Sequence, residues 1–516
     1  MIPFRAPVDD IFFSLRTFAG DVPCWDAELS HEIVRHFAGF AEGVLAPLNA
    51  PGDRQGCRLE DGRVVMPDGF AAAYAELAGA GWQGLTAPED HGGQGLDHLT
   101  AAAISEIFTA ANHSLQMVTS LAAGAIETLM AHGSAAQQAE FVPRLASGAW
   151  LSTMCLTEAG AGSDLSRIRC RAGRAGDAWR IDGQKIFISG GDQDLSAGIL
   201  HLVLARTGAP EDGVKGLSLF LCPAEVAGRR NAVTVTRIEE KLGLHASPTC
   251  QIEFDGATGW LIGAEGRGLA AMFTMMNHAR IDVALQGVAH AARAHAIAAA
   301  YAADRHQGRT ADGRPAVLAD HPDVRRMLDE QQALAMGARA MCHLALAEIE
   351  RAERPALVEF LTPLCKLFGS EAGIRAADLG IQVLGGYGYL EEYGVAQIWR
   401  DARITAIYEG TNGIHAVTLA TRGLRLAEGA AQGDFGALIG RLAGDDPATI
   451  AALAAWREDA TRIGASDDPL PLAHDFAHRT ARLLLRAVWQ RIAARATGEG
   501  RADAGDLARI AAALPA

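Results

Sequence analysis

Apolar residues recur at spacings of three and four along the first 150 residues and again after about residue 266. This spacing places apolar side chains on one face of a helix, so both regions are predicted to be helical. The predicted helices of the first region, which end near Pro47, Gly81 and Gly133, are 30–48, 70–81 and 99–133. Those of the later region are 269–307, 321–351, 356–384, 404–427, 447–463 and 473–498, with a Gly/Pro/Asp loop at 308–320.

Residues 151–263 follow a different pattern, in which short β-branched segments are separated by turn residues. Asp182–Gly183 is a typical type I′ turn sequence and predicts a hairpin of 179–181 with 185–188. Because no helical segment of 10–15 residues lies between the predicted strands, a sandwich or barrel is favoured over a parallel α/β sheet. The other predicted strands are 201–207, 216–223, 232–238, 249–256 and 259–263.

The expected fold is therefore mainly α with a central β domain. A chain of 516 residues is long enough for several domains. The expected parts are an N-terminal helical domain at 1–150, a middle β-sandwich or barrel domain at 151–263, a C-terminal helical bundle at 264–428 and a helical extension at 429–516.

Charge and cysteine usage narrow the class of protein. Lys and Arg number 46 against 61 Asp and Glu, and a formal net charge of −15 argues against nucleic-acid binding. No apolar run approaches the ~18 residues of a membrane span, and the N-terminus does not resemble a secretory signal. The eight cysteines form no CxxC pair, which predicts reduced thiols in a cytoplasmic protein.

Some local matches to metal or nucleotide motifs fail on their context. His31 and His36 approach the HExxH zinc motif but are five residues apart instead of four. Residues 266–271 fit GxGxxA, yet the helix that follows leads to no second strand, which favours a plain strand-to-helix turn. His290 and His295 are interpreted as packing or surface residues, and no metal site is expected.

Three segments combine glycine with polar or aromatic residues. The first, 154–164, can offer backbone N–H groups to a phosphate or a ring edge. The second, 187–191, places an aromatic, a hydroxyl and two glycines where they could form a wall against a flat ring. Taken alone, the first is better explained as an ordinary glycine-rich turn and the second as a strand that ends in a loop. The third, 382–412, joins a glycine-rich loop, a basic helix and an acid in a tight turn.

That acid, Glu409, lies between Tyr408 and Gly410, which suggests a constrained and desolvated carboxylate. Desolvation raises the pKa of a glutamate and makes it a better general base near neutral pH. The alternative is a surface acid at a helix start, where acidic residues are common. The local sequence does not separate the two interpretations.

Taken in order, CLTEAGAGSDLS, DGQKIFISGG and QVLGGYGYLEEYGVAQIWRDARITAIYEGTN resemble the FAD-dependent acyl-CoA dehydrogenases. The resemblance covers about residues 30–425. The N-terminal FRAPVDDIFFSL, the segment 308–328 and the additional C-terminal helices resemble the longer bacterial branch of the family, which includes 3-methylmercaptopropionyl-CoA dehydrogenases.

The resemblance implies that Glu409 removes the α-proton of an acyl-CoA thioester while the β-hydrogen leaves as hydride to the flavin, giving a trans-2-enoyl-CoA. The backbone N–H of Glu409 would stabilise the enolate oxygen. Some relatives carry the base at the position of Ala279, before Arg280, but alanine cannot serve. The implied electron acceptor is electron-transfer flavoprotein, and a homodimer or homotetramer is expected.

The family also implies which residues contact the cofactor and the substrate. Phe187 and Ser189 stand where the family often has Trp and Thr, Arg305 matches the site for the FAD pyrophosphate, and Gln382 matches a segment that reaches FAD from a neighbouring subunit. The implied FAD contacts are Met154, Cys155, Leu156, Thr157, Ser163, Phe187, Ile188, Ser189, Arg305, Gln382, Gly385, Gly386, Thr411 and Asn412. The implied substrate contacts are Ser163, Asn277, Arg280, Tyr408 and Gly410.

Two alternatives of other classes remain at this point. An acyl-CoA oxidase would use the same residues with dioxygen as the acceptor. A non-catalytic or DNA-associated flavoprotein of the same fold would need a basic surface, against which the acidic balance argues. The length of the acyl chain does not follow from the sequence.

Overall fold

The computed structural model describes residues 2–514, which form two compact units. One unit comprises the chain up to Glu42, residues 97–110 and the chain from Arg280 onward, and the other comprises 43–96 and 111–279. A central sheet domain follows one helical region in the sequence and precedes another, so the expected fold class is confirmed.

The α-helices of this part of the chain are α1 (Val8–Phe18), α2 (Ala27–Phe40), α3 (Ala46–Gln55), α4 (Phe70–Gly79), α5 (His98–Thr119), α6 (Leu121–His132), α7 (Ala135–Ala146), α8 (Gly268–Asp304), α9 (Pro322–Arg351), α10 (Pro355–Leu384), α11 (Val395–Ala402), α12 (Asn412–Ala420), α13 (Ala430–Ala443), α14 (Pro447–Gly464), α15 (Ala473–Gly498) and α16 (Ala504–Ala513). None of these helices has the length and apolar character needed to span a bilayer.

The strands are β1 (Arg58–Glu60), β2 (Arg63–Val65), β3 (Trp150–Cys155), β4 (Arg171–Ala175), β5 (Ala178–Ser189), β6 (Gly198–Arg206), β7 (Leu217–Pro223), β8 (Glu225–Val226), β9 (Arg229–Arg230), β10 (Val233–Ile238), β11 (Thr249–Ile262), β12 (His306–Arg309) and β13 (Pro315–Val317).

The large sheet of the second unit closes on itself. Strand β11 pairs with β5, β5 with β4, β4 with β6, β6 with β7 and β7 with β11, while β10 and β3 extend the ring at β11 and β6. Pairings of β6 with β3 and β4 are parallel, and the other pairings of this sheet are antiparallel. Every residue of β7 is buried, so both faces of this strand belong to the core of the second unit.

The predicted hairpin at Asp182–Gly183 is wrong. Strand β5 runs straight through these residues, with Gly183 opposite Phe254 of β11, and the chain turns instead near Gly176, between β4 and β5. Glycine is needed at 183 because a Cβ atom there would lie 2.8 Å from the Cα atom of Cys170. The Asp-Gly pair thus marks a close backbone approach and not a turn.

Several predicted boundaries also differ from the structure. Pro47 does not end a helix but lies in the first turn of α3. Backbone N–H groups in the first turn make no hydrogen bond within the helix, so proline, which lacks this group, is tolerated there. The predicted loop at 308–320 contains part of the β12–β13 hairpin. The predicted helix at 404–427 is interrupted, because residues 407–411 form a turn before α12. The predicted strands 249–256 and 259–263 are one strand, β11, with a bulge between Asp255 and Ala257.

Helices α8 and α10 cross with their backbones in close contact. A Cβ atom on Gly287 would lie 2.0 Å from the carbonyl oxygen of Gly369, and one on Gly373 would lie 2.7 Å from that of Gly287. These three glycines are therefore required for the spacing of the two helices. The crossing matters because α8 carries Arg280 and Asp282 and α10 carries Lys366, which act on the site described below.

The C-terminal extension, defined here as α13–α16, packs on the helical bundle of the first unit. Trp489 of α15 donates a hydrogen bond of 3.0 Å to the carbonyl oxygen of Ala333 in α9. The Phe435 and Trp456 rings lie 4.8 Å apart, and Phe435 lies 5.1 Å from Phe360 of α10. Buried aromatic and hydrogen-bonded contacts of this kind fix α15 against the bundle.

Candidate active site

Glu409 lies in a tight turn between a 3-10 helix at Arg403–Ala406 and α12. Its φ is 54° and that of Gly410 is 90°, so two consecutive residues adopt the left-handed conformation. For a non-glycine residue this conformation costs on the order of 1 kcal/mol. The ring of His415 holds the turn, because its Nε2 donates to the carbonyl oxygen of Glu409 over 3.0 Å. Burial lowers the pKa of His415 to about 3, which keeps this ring neutral.

The carboxyl group of Glu409 titrates near neutral pH. Burial raises its pKa to about 7, the cations of Arg280 and Lys366 oppose the rise, and Asp282 adds to it. A carboxyl group with this pKa can both lose and take up a proton under physiological conditions. The structure therefore supports the interpretation of Glu409 as a constrained, desolvated carboxylate rather than a surface acid.

Lys366 of α10 is fully buried beside this turn. Its Nζ donates to the carbonyl oxygen of Gly410 over 2.7 Å and to Oδ1 of Asn412 over 3.0 Å. Burial lowers the pKa of Lys366 to about 7, while Glu409 opposes the shift and Arg280 adds to it. The lysine thus holds the main chain on the C-terminal side of Glu409, and in its protonated form it places a cation near the Glu409 carboxylate.

Tyr408 is tied to α8 on the other side of the turn. Its hydroxyl group donates to Oε1 of Gln286, and Nε2 of Gln286 donates to Oδ2 of Asp282 over 3.1 Å. Ser105 donates to the other oxygen of Asp282. Burial raises the pKa of Tyr408 well above its ordinary value, so the phenol remains a donor. These contacts fix the residue before Glu409, as Lys366 fixes the residue after it.

Thr411 and Asn412 begin α12. The Thr411 hydroxyl accepts from the backbone N–H of Ile414 over 3.3 Å and caps the helix. The Asn412 amide is engaged by Lys366 and by Ser370, whose Oγ lies 3.1 Å from Nδ2. The Asn412 side chain is thus engaged within the chain, while the Thr411 hydroxyl, which only accepts in its cap, keeps its O–H to donate.

In the second unit the structure brings two of the predicted cofactor segments together. The backbone N–H of Ile186 in β5 donates to the carbonyl oxygen of Thr157 over 2.9 Å. Nζ of the fully buried Lys185 donates to the carbonyl oxygen of Leu156 and to Oε1 of Glu158, both over 2.8 Å. Met154–Thr157 and Phe187–Ser189 therefore form one surface.

This surface has features that suit a flat, polar ring system. Phe187 has a φ of 59° and is 60% exposed, which is unusual for a large apolar residue. A Cβ atom added to Gly160 or Gly162 would meet nothing within 4 Å, and Ser163 beside them is exposed. An exposed aromatic face, open glycine backbone and an exposed hydroxyl group fit the chemistry of a flavin.

Cys155 and Ile188 can contribute to such a surface only through their backbone, because their side chains are buried. The Cys155 thiol lies 3.3 Å from the hydroxyl of Thr153, which in turn lies 2.7 Å from Nδ1 of His201. Burial raises the pKa of Cys155 to about 12, so the thiol is unreactive at neutral pH.

The remaining predicted cofactor residues cluster on the surface of the first unit. The guanidinium group of Arg305 lies 5.7 Å from the centre of the Tyr387 ring. Gln382 is exposed near the end of α10, and its carbonyl oxygen accepts from the backbone N–H of Gly385. Gly385 and Gly386 are open, since an added Cβ would meet nothing within 4 Å at either position.

Of the predicted substrate contacts, the structure groups Arg280, Tyr408 and Gly410 with Glu409 in the first unit. Asn277 and Ser163 belong to the second unit, where both are exposed. Ala279, the alternative base position, is a buried apolar residue.

The sequence interpretation missed Lys366, Asp282, Gln286 and Lys185. A signal for the two lysines is present, because each is a single cation within a mainly apolar segment: LTPLCKLF for Lys366 and KIFI for Lys185. A buried lysine needs acceptors to satisfy its ammonium group, so such a position indicates a polar turn nearby. Asp282 and Gln286 also lie in a mainly apolar segment, IDVALQGV, four residues apart and so on one face of α8.

Comparison with known proteins gives the family. Residues 28–149, 153–257 and 266–424 match the models "Acyl-CoA dehydrogenase, N-terminal domain", "Acyl-CoA dehydrogenase, middle domain" and "Acyl-CoA dehydrogenase, C-terminal domain". The 3-methylmercaptopropionyl-CoA dehydrogenase of Ruegeria pomeroyi is 45% identical over 450 residues, which are 81% of this chain and 76% of the relative.

Solved structures agree with this match. Butyryl-CoA dehydrogenase from Megasphaera elsdenii superposes with a TM-score of 0.67 at 26% identity, covering 76% of this chain and 96% of the other. ACDH-11 from Caenorhabditis elegans, solved in complex with C11-CoA, superposes with a TM-score of 0.82 over 99% of this chain and 91% of the other. At 22% identity it shows the shared fold alone. The chain therefore belongs to the acyl-CoA dehydrogenase family of oxidoreductases.

Proposed function

We propose that this enzyme uses FAD to convert an acyl-CoA thioester to a trans-2-enoyl-CoA, with Glu409 as the catalytic base. The observation that carries the proposal is the half-buried carboxyl group of Glu409, which lies in a turn of positive φ held by His415 and whose pKa is raised to about 7. The names of the Ruegeria and Megasphaera relatives, which both contain an acyl-CoA, support the substrate class.

The residues around Glu409 account for what a base must do. In the ionised state the carboxylate is stabilised by the cations of Arg280 and Lys366, and it takes the α-proton of the thioester. In the protonated state it is neutral, which burial favours. Its fixed position between Tyr408 and Gly410 limits reorganisation during proton transfer, and its own backbone N–H is proposed to stabilise the enolate oxygen.

FAD, when bound, supplies the acceptor for the hydride that leaves the β-carbon. The residues proposed to hold it are those implied by the family, and the surface formed by Met154–Thr157, Phe187 and Ser189 supports this assignment. Arg305 is proposed to bind its pyrophosphate, and Gln382, Gly385 and Gly386 are proposed to reach FAD from a neighbouring subunit. Exposed Tyr389 and Leu390 in the same loop support a homo-oligomer, which light scattering of the purified protein tests.

The electron acceptor, the substrate, the cellular location and the domain organisation are also proposals. Electron-transfer flavoprotein is the proposed acceptor, and 3-methylmercaptopropionyl-CoA is the first substrate to try because of the 45% identity to the Ruegeria enzyme. Eight free thiols support a cytoplasmic location, which cell fractionation tests. The four-part division at about residues 150, 263 and 428 is retained as the proposed domain organisation.

Anaerobic titration of the purified flavoprotein with acyl-CoAs of increasing length, including the methylthio-propanoyl ester, tests the reaction. We expect loss of flavin absorbance with the wild-type protein and none with Glu409→Gln, although the variant should still bind flavin. A Glu409→Gln variant that bleaches normally would show that another residue is the base. Peroxide release in air, compared with reduction of electron-transfer flavoprotein, separates a dehydrogenase from an oxidase.

A further inference from the structure

A continuous set of hydrogen bonds joins the C-terminal extension to the turn that carries Glu409. We propose that His478 of α15 is a positioning residue for Glu409, acting through Glu371, Asn412 and Lys366. The inference rests on the proposed role of Glu409 as the base. It assigns a function to the extension, which neither the family models nor the predicted site residues include.

The step next to the catalytic turn is made by Lys366 and Asn412. Lys366 donates to the carbonyl oxygen of Gly410 and to Oδ1 of Asn412, so one ammonium group joins both sides of Thr411. Ser370 lies within 3.3 Å of the same oxygen. The position of the Asn412 amide therefore affects the position of the Lys366 ammonium group. Because that group is bonded to Gly410, it also affects the conformation of the turn that carries Glu409.

The amide of Asn412 is held in one orientation by opposite charges at its two ends. Oδ1 faces the ammonium group of Lys366, and Nδ2 donates to Oε1 of Glu371 over 3.1 Å. Rotating the amide by half a turn would place a donor against a cation and an acceptor against an anion. Glu371 consequently fixes the amide, provided that its own carboxylate is held in place.

His478 holds that carboxylate. Its Nε2 lies 3.0 Å from Oε2 and 3.2 Å from Oε1 of Glu371, and its Nδ1 lies 2.8 Å from the carbonyl oxygen of His474. Both ring nitrogens thus face groups that only accept, so both must donate, and the ring is an imidazolium ion. The bond to Glu371 accordingly raises the pKa of His478.

Other charged groups on α15 and α10 act on the contact between His478 and Glu371. On α15, Arg482 opposes protonation of His478, and His474 acts together with His478 to lower the pKa of Glu371. On α10, Glu371 acts on Lys366. Because Glu371 is 41% exposed, it depends on His478 more than on burial for its position.

Helix α15 is a rigid support for this contact. Trp456 of α14 donates to the hydroxyl of Thr480, two residues after His478, over 2.9 Å. Leu485 and Trp489 pack so closely on Gly337 of α9 that a Cβ there would lie 2.2 Å from Leu485 Cδ1. A side chain on such a helix can transmit a fixed position to its partner.

The test compares the holoenzyme with His478→Ala and His478→Gln, which retains a donor without the charge. Arg491→Gln, on an exposed position of the same helix, is the matched control. For His478→Ala we expect kcat to fall roughly three- to tenfold with KM changed less than about twofold, as for a residue that acts on the transition state alone. The acidic limb of the kcat/KM profile should move to lower pH. Loss of the His478 cation leaves the negative charge of Glu371 uncompensated, which raises the pKa of Lys366, and a lysine that stays protonated favours the Glu409 carboxylate.

A second measurement does not depend on activity. Hydrogen–deuterium exchange of the peptide around 404–416 should accelerate in His478→Ala, be close to wild type in His478→Gln, and be unchanged in Arg491→Gln. Glu371→Gln, which keeps an oxygen for Asn412 and adds no bulk, should give the same faster exchange if His478→Ala does not fold.

Failure of the proposed function and failure of the positioning role of His478 would give different results. If wild-type flavin is not reduced by any acyl-CoA, the proposed function is wrong and the positioning role falls with it. If the wild type is active but His478→Ala matches Arg491→Gln in kcat, pH profile and exchange, the positioning role alone is overturned.

Discussion

Nζ of Lys366 lies 2.7 Å from the carbonyl oxygen of Gly410, the residue that follows Glu409. A cation on α10 is therefore bonded to the main chain of the proposed catalytic turn, and it also acts on the Glu409 carboxylate through space. This relationship couples the conformation of the turn to the protonation of Glu409.

Replacing Lys366 by Met should raise the pKa of Glu409, because a charge that favours the carboxylate is removed. A rise of about one unit from 7 lowers the ionised fraction at pH 7 from roughly one half to one tenth, so kcat/KM should fall about fivefold there. At pH 9 the carboxyl group is ionised in both proteins and this part of the loss should disappear. An equal loss at both pH values would mean that Lys366 acts on geometry alone.

Glu409→Gln should stabilise the folded protein at high pH. Burial raises the folded pKa of Glu409 from 4.5 to about 7, so the folded state holds a proton that the unfolded state has lost between these values. Stability from this group is present below pH 4.5 and is lost as pH rises to about 7. The variant avoids that loss, worth about 2–3 kcal/mol above pH 7. In thermal unfolding its advantage over wild type should be larger at pH 8 than at pH 5; the same difference at both would contradict the raised pKa.

Gly410→Ala should disturb the turn without touching any catalytic group. The residue has a φ of 90°, and an added Cβ would lie 3.0 Å from Nε2 of His415, which holds the Glu409 carbonyl. We expect kcat to fall about a hundredfold and stability to fall by roughly 1–3 kcal/mol. Gly413→Ala is the matched control, because its nearest atom would be the Thr411 hydroxyl at 3.9 Å and its φ is ordinary. Equal effects at both positions would argue against a special role for the turn.

Lys185→Met should weaken flavin binding and leave the rest of the protein largely unchanged. The lysine joins β5 to Leu156 and Glu158, and loss of its ammonium group frees the surface on which Phe187 lies. Flavin should be released on dilution about tenfold more readily, as measured by the recovery of its fluorescence. Gln184→Met, at the exposed neighbouring position of the same strand, should retain flavin as the wild type does. Retention by both variants would show that Lys185 only stabilises the fold.

Much of the helical architecture followed from periodicity, because long amphipathic segments carry a strong repeating signal. The predicted 447–463 and 473–498 differ by at most one residue from α14 and α15. The errors fall where one residue type serves two purposes. Gly183 permits a close backbone contact and Pro47 begins a helix. In the local sequence, however, the same residue types are typical of a turn and of the end of a helix. Local sequence does not distinguish these uses, since each depends on what lies beside the chain in space.

For the candidate site, the sequence identified Glu409 and the segments around it but not the groups that tune it. The low exposure of Lys366 and its bond to Gly410 depend on the packing of α10, 43 positions away from Glu409 in the sequence. Likewise, nothing in the segment around His478 indicates that its ring meets Glu371. Contacts between distant segments are set by tertiary structure, and single-residue patterns do not record them.

The glycine contacts between α8 and α10 have a consequence for how such an enzyme can change. Where Gly287 meets Gly369, the separation of the two helices is determined by main-chain atoms, which are the same in every protein. Side chains elsewhere on these helices can then be exchanged without altering the distance between Arg280 and Lys366. If Glu409 is the base, as proposed, the side chains around the site could change to accept acyl groups of another size while the groups that remove the proton keep their spacing. The crossing would then separate the evolution of specificity from that of chemistry.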